Sequence, residues 1–114
     1  MQRIYHIALE ADWEHAQHTG EYQISTRGRT LDEEGFIHCC QAHQVTTVAN
    51  ELYRGQDHVL LLIVDSTRIT SPIRYVRRGV KSELFPVIYG PIIIDWVVEV
   101  TQLNPDAAGT FVYP

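Results

Sequence analysis

The segment from Val59 to Val64 reads Val-Leu-Leu-Leu-Ile-Val and is the longest uninterrupted apolar run in the chain. A continuous run of this kind is typical of a strand that is buried on both faces at the centre of a sheet. It is far shorter than the roughly 20 residues that a membrane span requires. We therefore expect a fold organised around one central strand, with no membrane-spanning segment.

Alternating and helical hydrophobic patterns surround this run, and predicted strands outnumber predicted helices. The order is β-α-β-β-α-β-β-β, and most neighbouring strands lack an intervening helix. A doubly wound parallel sheet needs a crossover helix between its strands, so this order excludes it. The predicted fold class is α+β, with a mixed, mainly antiparallel, bent or split sheet and two helices. The strands are expected at 4–9, 21–25, 35–40, 59–64, 73–77 and 92–101, and the helices near 12–19 and 45–53.

Length and composition indicate one folded domain. The chain has 114 residues, of which 45% are apolar and 20% charged, and this balance excludes disordered and collagen-like chains. We expect residues 1–114 to form a single domain with a C-terminal tail at 103–114. The segment 26–34 is predicted to be a polar loop, and 78–91 a turn-rich, functional loop.

Charge and cysteine usage narrow the protein class further. The formal net charge of −5 disfavours general nucleic-acid binding, which needs a basic surface. No signal peptide is visible, and the adjacent Cys39 and Cys40 would form a strained bridge, so we expect reduced thiols in a cytoplasmic protein. Cys40 and His43 have no second ligand pair at metal-binding spacing, and no metal site is predicted.

Most of the basic side chains lie in one stretch that is free of acids, between Asp65 and Glu83. This stretch is either a solvated loop and strand edge or a seat for a phosphate group. Arg74 and Arg78 share a strand face if the strand continues, whereas Arg77 points the other way. Arg74 is the favoured phosphate ligand because it lies inside the predicted strand.

Two histidines, His6 and His38, lie within predicted strands, where an imidazole is costly unless its ring nitrogens have partners. They are either a satisfied core pair or the lining of a polar cleft between strand ends, and we predict that they lie close together. Histidine titrates near neutral pH, which suits it to acid–base chemistry. The rings of Tyr22, Phe85 and Tyr89 either belong to the core or stack on a planar base.

Four ordered motifs resemble those of a family of small bacterial proteins that is catalogued as a domain of unknown function. The motifs are IYHI at 4–7, GFIHC at 35–39, VAN at 48–50 and FPxIYGP at 85–91. The family is grouped by fold with ADP-ribosyltransferases and RNA 2′-phosphotransferases, and some members are labelled glutathione-transferase-like. The resemblance implies an ADP-ribosyltransferase-like fold, NAD as a candidate substrate, and contact of His6 with ribose or phosphate. The glutamate of the third transferase motif has no counterpart within 85–91.

Three functions follow from the residues and the resemblance together. The first is an enzyme that transfers an ADP-ribosyl or phosphate group from NAD or another small phosphorylated nucleotide. The second is a non-catalytic module that binds such a nucleotide or phosphate, and the third is a thiol- or glutathione-linked transferase using Cys39 or Cys40. The predicted site has His6 and His38 as catalytic residues, and Arg74, Tyr22, Phe85 and Tyr89 as substrate-binding residues.

Overall fold

The computed structural model describes residues 2–113, and within them the chain forms an α+β fold in which every strand pairing is antiparallel. The predicted class is confirmed at this level. The α-helices of this part of the chain are Glu10–Thr19 (α1), Leu31–Glu34 (α2) and Val45–Leu52 (α3). Its strands are Arg3–Leu9 (β1), Glu21–Tyr22 (β2), Ile24–Thr26 (β3), Arg29–Thr30 (β4), Ile37–His38 (β5), Val59–Asp65 (β6), Ile73–Arg78 (β7), Glu83–Ile88 (β8), Ile92–Ile93 (β9) and Val97–Leu103 (β10). None of these helices is long and apolar enough to cross a membrane.

Strand β6 lies at the centre of a three-stranded sheet, between β1 and β10. This position confirms the prediction from the apolar run. Successive side chains of a strand point to opposite faces, so β6 contributes to two cores. Leu62 belongs to a core that includes Trp13 of α1, whereas Leu61 belongs to a second core that includes Val45 and Ala49 of α3.

A second three-stranded sheet has β8 between β5 and β7. The prediction of a turn-rich loop over 78–91 is therefore wrong for Glu83–Ile88, which form strand β8, while residues 79–82 form the turn between β7 and β8. Proline is usually absent from central strands, since it cannot donate to the ladder. Pro86 is tolerated because the short β5 pairs only with Val87 and Ile88. Beyond the end of β5, the Pro86 carbonyl accepts a hydrogen bond from the Cys39 backbone N–H at 3.0 Å.

Residues 26–34, predicted to be a loop, contain secondary structure of their own. Strands β3 and β4 form a short hairpin that turns through Gly28 at φ +76°, a conformation that glycine adopts readily. Helix α2 follows with a capping box of Thr30 and Glu33, and it ends at Gly35 in the left-handed conformation. This helix adds to the two predicted ones, because hydrophobic periodicity does not detect a single helical turn.

The strand predicted at 92–101 is interrupted by a 3₁₀ turn at Ile94–Trp96, and a bulge in β10 follows. Both irregularities change which side chains face the core. Val98 and Val100, which strict alternation assigns to the core, are 38% and 40% exposed. A turn and a bulge reset the two-residue period, and the sequence pattern alone does not reveal them.

The C-terminal segment after β10 packs along α3 and holds a buried side chain, Phe111. The Asn50 side chain binds both backbone polar groups of Phe111: Nδ2 donates to its carbonyl at 2.9 Å, and its N–H donates to Oδ1 at 2.8 Å. The Thr46 hydroxyl makes the same pair of contacts with the Tyr113 backbone, at 3.2 and 2.9 Å. Two side chains of α3 thus pair with the backbone polar groups of the C-terminal segment.

Candidate functional site

The two three-stranded sheets meet where β1 passes β5. Tyr5 and Cys40 form an isolated antiparallel bridge there, with backbone hydrogen bonds of 2.9 and 2.8 Å. Beside this bridge His6 and His38 come together as predicted, with His6 Nδ1 at 2.6 Å from the His38 carbonyl oxygen. Both histidines are therefore held by hydrogen-bonded strands rather than by loops.

His6 is buried, and both of its ring nitrogens have protein partners. A carbonyl oxygen only accepts, so Nδ1–H donates to the His38 carbonyl, and Nε2 of the neutral ring is an acceptor. The Tyr22 hydroxyl, 3.0 Å away, donates to Nε2, and the two rings meet edge-on at 4.9 Å. Burial is the main reason that the pKa of His6 falls from 6.5 to about 4, and burial raises the pKa of Tyr22 well above its ordinary value. Both side chains are consequently uncharged at neutral pH.

These contacts make His6 a positioning residue for the backbone of His38. Its nitrogens bind protein groups on both sides, and Tyr22, expected to stack on a substrate base, is buried behind it. The structure therefore places Tyr22 in the core rather than at a pocket wall, whereas His6 also borders the inner pocket described below. His6 and Tyr22 form a satisfied polar pair in the core, and His38 is the histidine whose ring lies nearer to solvent.

The ring of His38 is held between a cation and a carboxylate, and its side chain is 16% exposed. Arg78 Nη1–H donates to His38 Nδ1 at 2.9 Å, and because a guanidinium only donates, the proton of the neutral ring lies on Nε2. That nitrogen faces Glu34 Oε1 at 3.5 Å, while Oε2 accepts from Arg29 at 2.8 Å. Burial, and next the Arg78 charge, lower the pKa of His38, and Glu34 opposes them.

Arg78 lines two adjoining spaces, an outer cavity between α3 and the β7–β8 hairpin and an inner pocket. Its guanidinium carbon lies 5.6 Å from the centroid of the Phe85 ring, within cation–π range. The outer cavity, of about 260 Å³, extends from Arg78 and Phe85 toward Lys81 at the hairpin turn. The inner pocket extends from the same two residues past His38 to Ser25. The two spaces together form a cleft with Arg78 at its middle.

The structure corrects the choice of Arg74 as the residue facing this cleft. Arg74 pairs with Val87 of β8, and its side chain is exposed and lines neither space. Arg78 lies on the same strand face, as the parity argument requires, and its side chain extends over Phe85 to His38. The distance that a side chain spans across its own sheet is not visible in the strand pattern.

Tyr89 lies at the other side of the site and is 38% exposed. Its ring packs edge-on against Phe36 with centroids 5.6 Å apart, and Phe36 meets the His38 ring edge-on at 4.8 Å. Tyr89 is therefore linked to His38 through one intervening aromatic ring. Of the predicted site residues, the structure brings Phe85, His38 and His6 to the cleft itself.

Glu34, like Arg78, lies at this site but is not among the residues that the sequence predicts for it. It lies in an acidic run that resembles a solvated loop, four positions before His38. Gly35, in the left-handed conformation, ends α2 and turns the chain so that the carboxylate faces the imidazole. The glycine between a glutamate and a strand histidine is the signal that could have indicated this contact.

Both cysteines are buried next to the site, Cys39 with 5% and Cys40 with 2% of its surface exposed. Burial raises the pKa of Cys40 to about 12 and that of Cys39 well above its ordinary value. A thiolate is the nucleophilic form of cysteine, so neither thiol is activated in this arrangement. Within residues 2–113 no group of three or more His, Cys, Asp or Glu side chains is placed to hold a metal ion.

The fold is similar to that of the protein CC0527 from Caulobacter crescentus, a structural genomics target. Its crystal structure superposes with a TM-score of 0.85 at 26% identity, covering 97% of this chain and 94% of that one. The crystal structure of a double mutant of CC0527 matches equally well, and the solution NMR structure has a TM-score of 0.78 at 29% identity, with 96% and 91% coverage. No curated protein matches the chain. The chain belongs to the family described as Protein of unknown function (DUF952), whose sequence model matches residues 7–100.

Proposed function

We propose that the chain binds a small phosphorylated nucleotide of the ADP-ribosyl class, with NAD as the candidate substrate, in the cleft around Arg78. The observation that carries this proposal is the environment of the Arg78 guanidinium. Among residues 2–113 it takes part in no ion pair, and the two groups that it contacts, the neutral His38 ring and Phe85, carry no negative charge. Glu83 is its cross-strand partner on β8 but does not form an ion pair with it. A partly buried cation held by neutral groups favours an anionic ligand.

The phosphate is expected at Arg78, where the outer cavity adjoins the inner pocket, rather than in the middle of the outer cavity. Lys81 lines the outer cavity, but Glu51 and Glu83 line it as well, so the formal charges there offset one another. The remainder of the nucleotide fits along α3, where Leu52 offers apolar surface. A guanidinium also suits phosphate in geometry, because it can donate two parallel hydrogen bonds.

His38 and Glu34 support a transfer reaction on the bound nucleotide. When phosphate binds the Arg78 guanidinium, the hydrogen bond from Arg78 to His38 Nδ1 breaks, and Nδ1 becomes free to accept a proton. In the proposed step an acceptor hydroxyl forms a bond to the ribose carbon as the bond from that carbon to nicotinamide breaks. Nicotinamide leaves with the electron pair, the hydroxyl proton passes to His38, and the Glu34 carboxylate stabilises the positive charge that develops on the ribose.

Calorimetric titration of ADP-ribose and adenosine into the wild type and two arginine variants tests the binding step. A charge-assisted phosphate contact contributes about 1.5–3 kcal/mol, so Arg78→Ala should weaken ADP-ribose binding roughly 10- to 100-fold. Arg74→Ala is the matched control, because Arg74 lies on the same strand face and is exposed. Equal affinity of ADP-ribose for the wild type and Arg78→Ala, or equal affinity of ADP-ribose and adenosine, would contradict the phosphate seat.

Release of nicotinamide from NAD separates transfer from binding alone. We expect the wild type to release nicotinamide, and Glu34→Gln and His38→Ala to lose that activity while still binding ADP-ribose. If the wild type binds ADP-ribose through Arg78 and releases no nicotinamide, the transfer step is wrong. The chain is then a nucleotide-binding module, the second of the functions that the sequence predicts.

A further inference from the structure

Ser25 is the one residue within 2–113 with a buried side-chain oxygen or nitrogen that has no hydrogen-bond partner. It is 1% exposed, and burying an unpaired hydroxyl costs free energy. Ile24 pairs with Thr30 and Thr26 pairs with Arg29, so Ser25 is the extra residue of a β-bulge. Bulges redirect side chains and are frequent beside active sites. Ser25 lines the inner pocket.

The remaining lining of the inner pocket is uncharged except where Arg78 borders it. Burial raises the pKa of Cys40 and that of Tyr53 to about 12, and the Tyr53 hydroxyl donates to the Ile7 carbonyl at 3.1 Å. The pocket offers about 30 Å³, which is room for one or two water-sized atoms but not for a ring or a phosphate. The group that fits is small, neutral and able to hydrogen-bond.

We propose that the inner pocket is a subsite for one sugar hydroxyl of the phosphorylated ligand. The hydroxyl pairs with Ser25 Oγ while the phosphate remains on Arg78. This inference rests on the proposed phosphate seat and adds the class of the neighbouring group, a polyhydroxy sugar joined to the phosphate. The Ser25 hydroxyl both donates and accepts, so it suits another hydroxyl, whereas an apolar phosphate ester would leave it unpaired.

NMR titrations with inorganic phosphate and with ribose 5-phosphate measure the contribution of the sugar as the ratio of two Kd values. We expect the wild type to bind ribose 5-phosphate more tightly, and Ser25→Ala to reduce that preference about 3- to 10-fold. Ser25→Ala should leave the Kd of inorganic phosphate unchanged and the Tm unchanged or raised, because it removes an unpaired buried group. Ser66→Ala, which alters a serine outside the cleft lining, is the control.

The outcomes separate this subsite from the phosphate seat. An unchanged preference for ribose 5-phosphate in Ser25→Ala, with both probes weakened by Arg78→Ala, would overturn the subsite and leave the seat intact. An unchanged preference together with a lowered Tm would mean that Ser25 holds a structural water only, which also overturns the subsite. If Arg78→Ala binds both probes as the wild type does, or the wild type binds neither, the seat is wrong and the subsite falls with it.

Discussion

The buried imidazole of His6 should make the stability of this chain depend on pH above the range in which carboxylates titrate. The pKa of His6 is about 4 in the folded chain, mainly because the ring is buried. In the unfolded chain, where the ring is in water, the pKa has its ordinary value of 6.5. Between these two values the unfolded chain binds one proton that the folded chain does not, so the free energy of unfolding falls as the pH falls. The contribution is absent above pH 6.5 and complete near pH 4, and it amounts to about 3 kcal/mol.

Urea unfolding of the wild type and His6→Phe at about pH 7.5 and about pH 4.5 measures this contribution. At the higher pH the variant should be less stable, because it leaves the Tyr22 hydroxyl and the His38 carbonyl without partners, at about 1–3 kcal/mol each. At the lower pH the difference between the two proteins should shrink by about 2–3 kcal/mol, since only the wild type loses the His6 contribution.

Tyr22→Phe is the matched control for this measurement. It removes one hydrogen bond of the same network but keeps the titratable ring of His6. We expect it to be less stable than the wild type and to lose further stability on acidification, as the wild type does. A difference between wild type and His6→Phe that stays constant across the two pH values would refute the role assigned to burial of His6.

Three other outcomes follow from the contacts described. Arg78→Ala should raise the pKa of His38, measured by NMR, because it removes a neighbouring positive charge. Asn50→Ala should release the C-terminal segment, with a loss of about 1–3 kcal/mol in urea unfolding and faster proteolysis after β10. Cys39 and Cys40 should remain unlabelled by a thiol reagent in the native state at neutral pH and react fully in urea, whereas rapid native labelling would contradict their raised pKa values.

The central strand and the meeting of two histidines could be predicted from the sequence. A run of six apolar residues over 59–64 suits a strand that is covered on both faces, and it lies between β1 and β10. An imidazole in a strand needs partners, which is why His6 and His38 pointed to a polar site. Both signals depend on burial, and burial is what hydrophobic patterns report.

The rest of the site depends on irregular backbone and on the reach of side chains. Pro86 signals a turn in most sequences, yet here it lies opposite the end of a two-residue strand, where no donor is missed. Glu34 reaches His38 because a left-handed glycine ends a single helical turn, and Ser25 enters the cleft through a bulge. None of these features has a period that a window of residues can detect.

A crystal structure with ADP-ribose would test the proposed site most directly. We expect the diphosphate on the Arg78 guanidinium, with the hydrogen bond from Arg78 to His38 Nδ1 broken and a sugar hydroxyl against Ser25 Oγ. A diphosphate bound away from Arg78, with the bond between Arg78 and His38 intact, would contradict the assignment of this cleft as the nucleotide site.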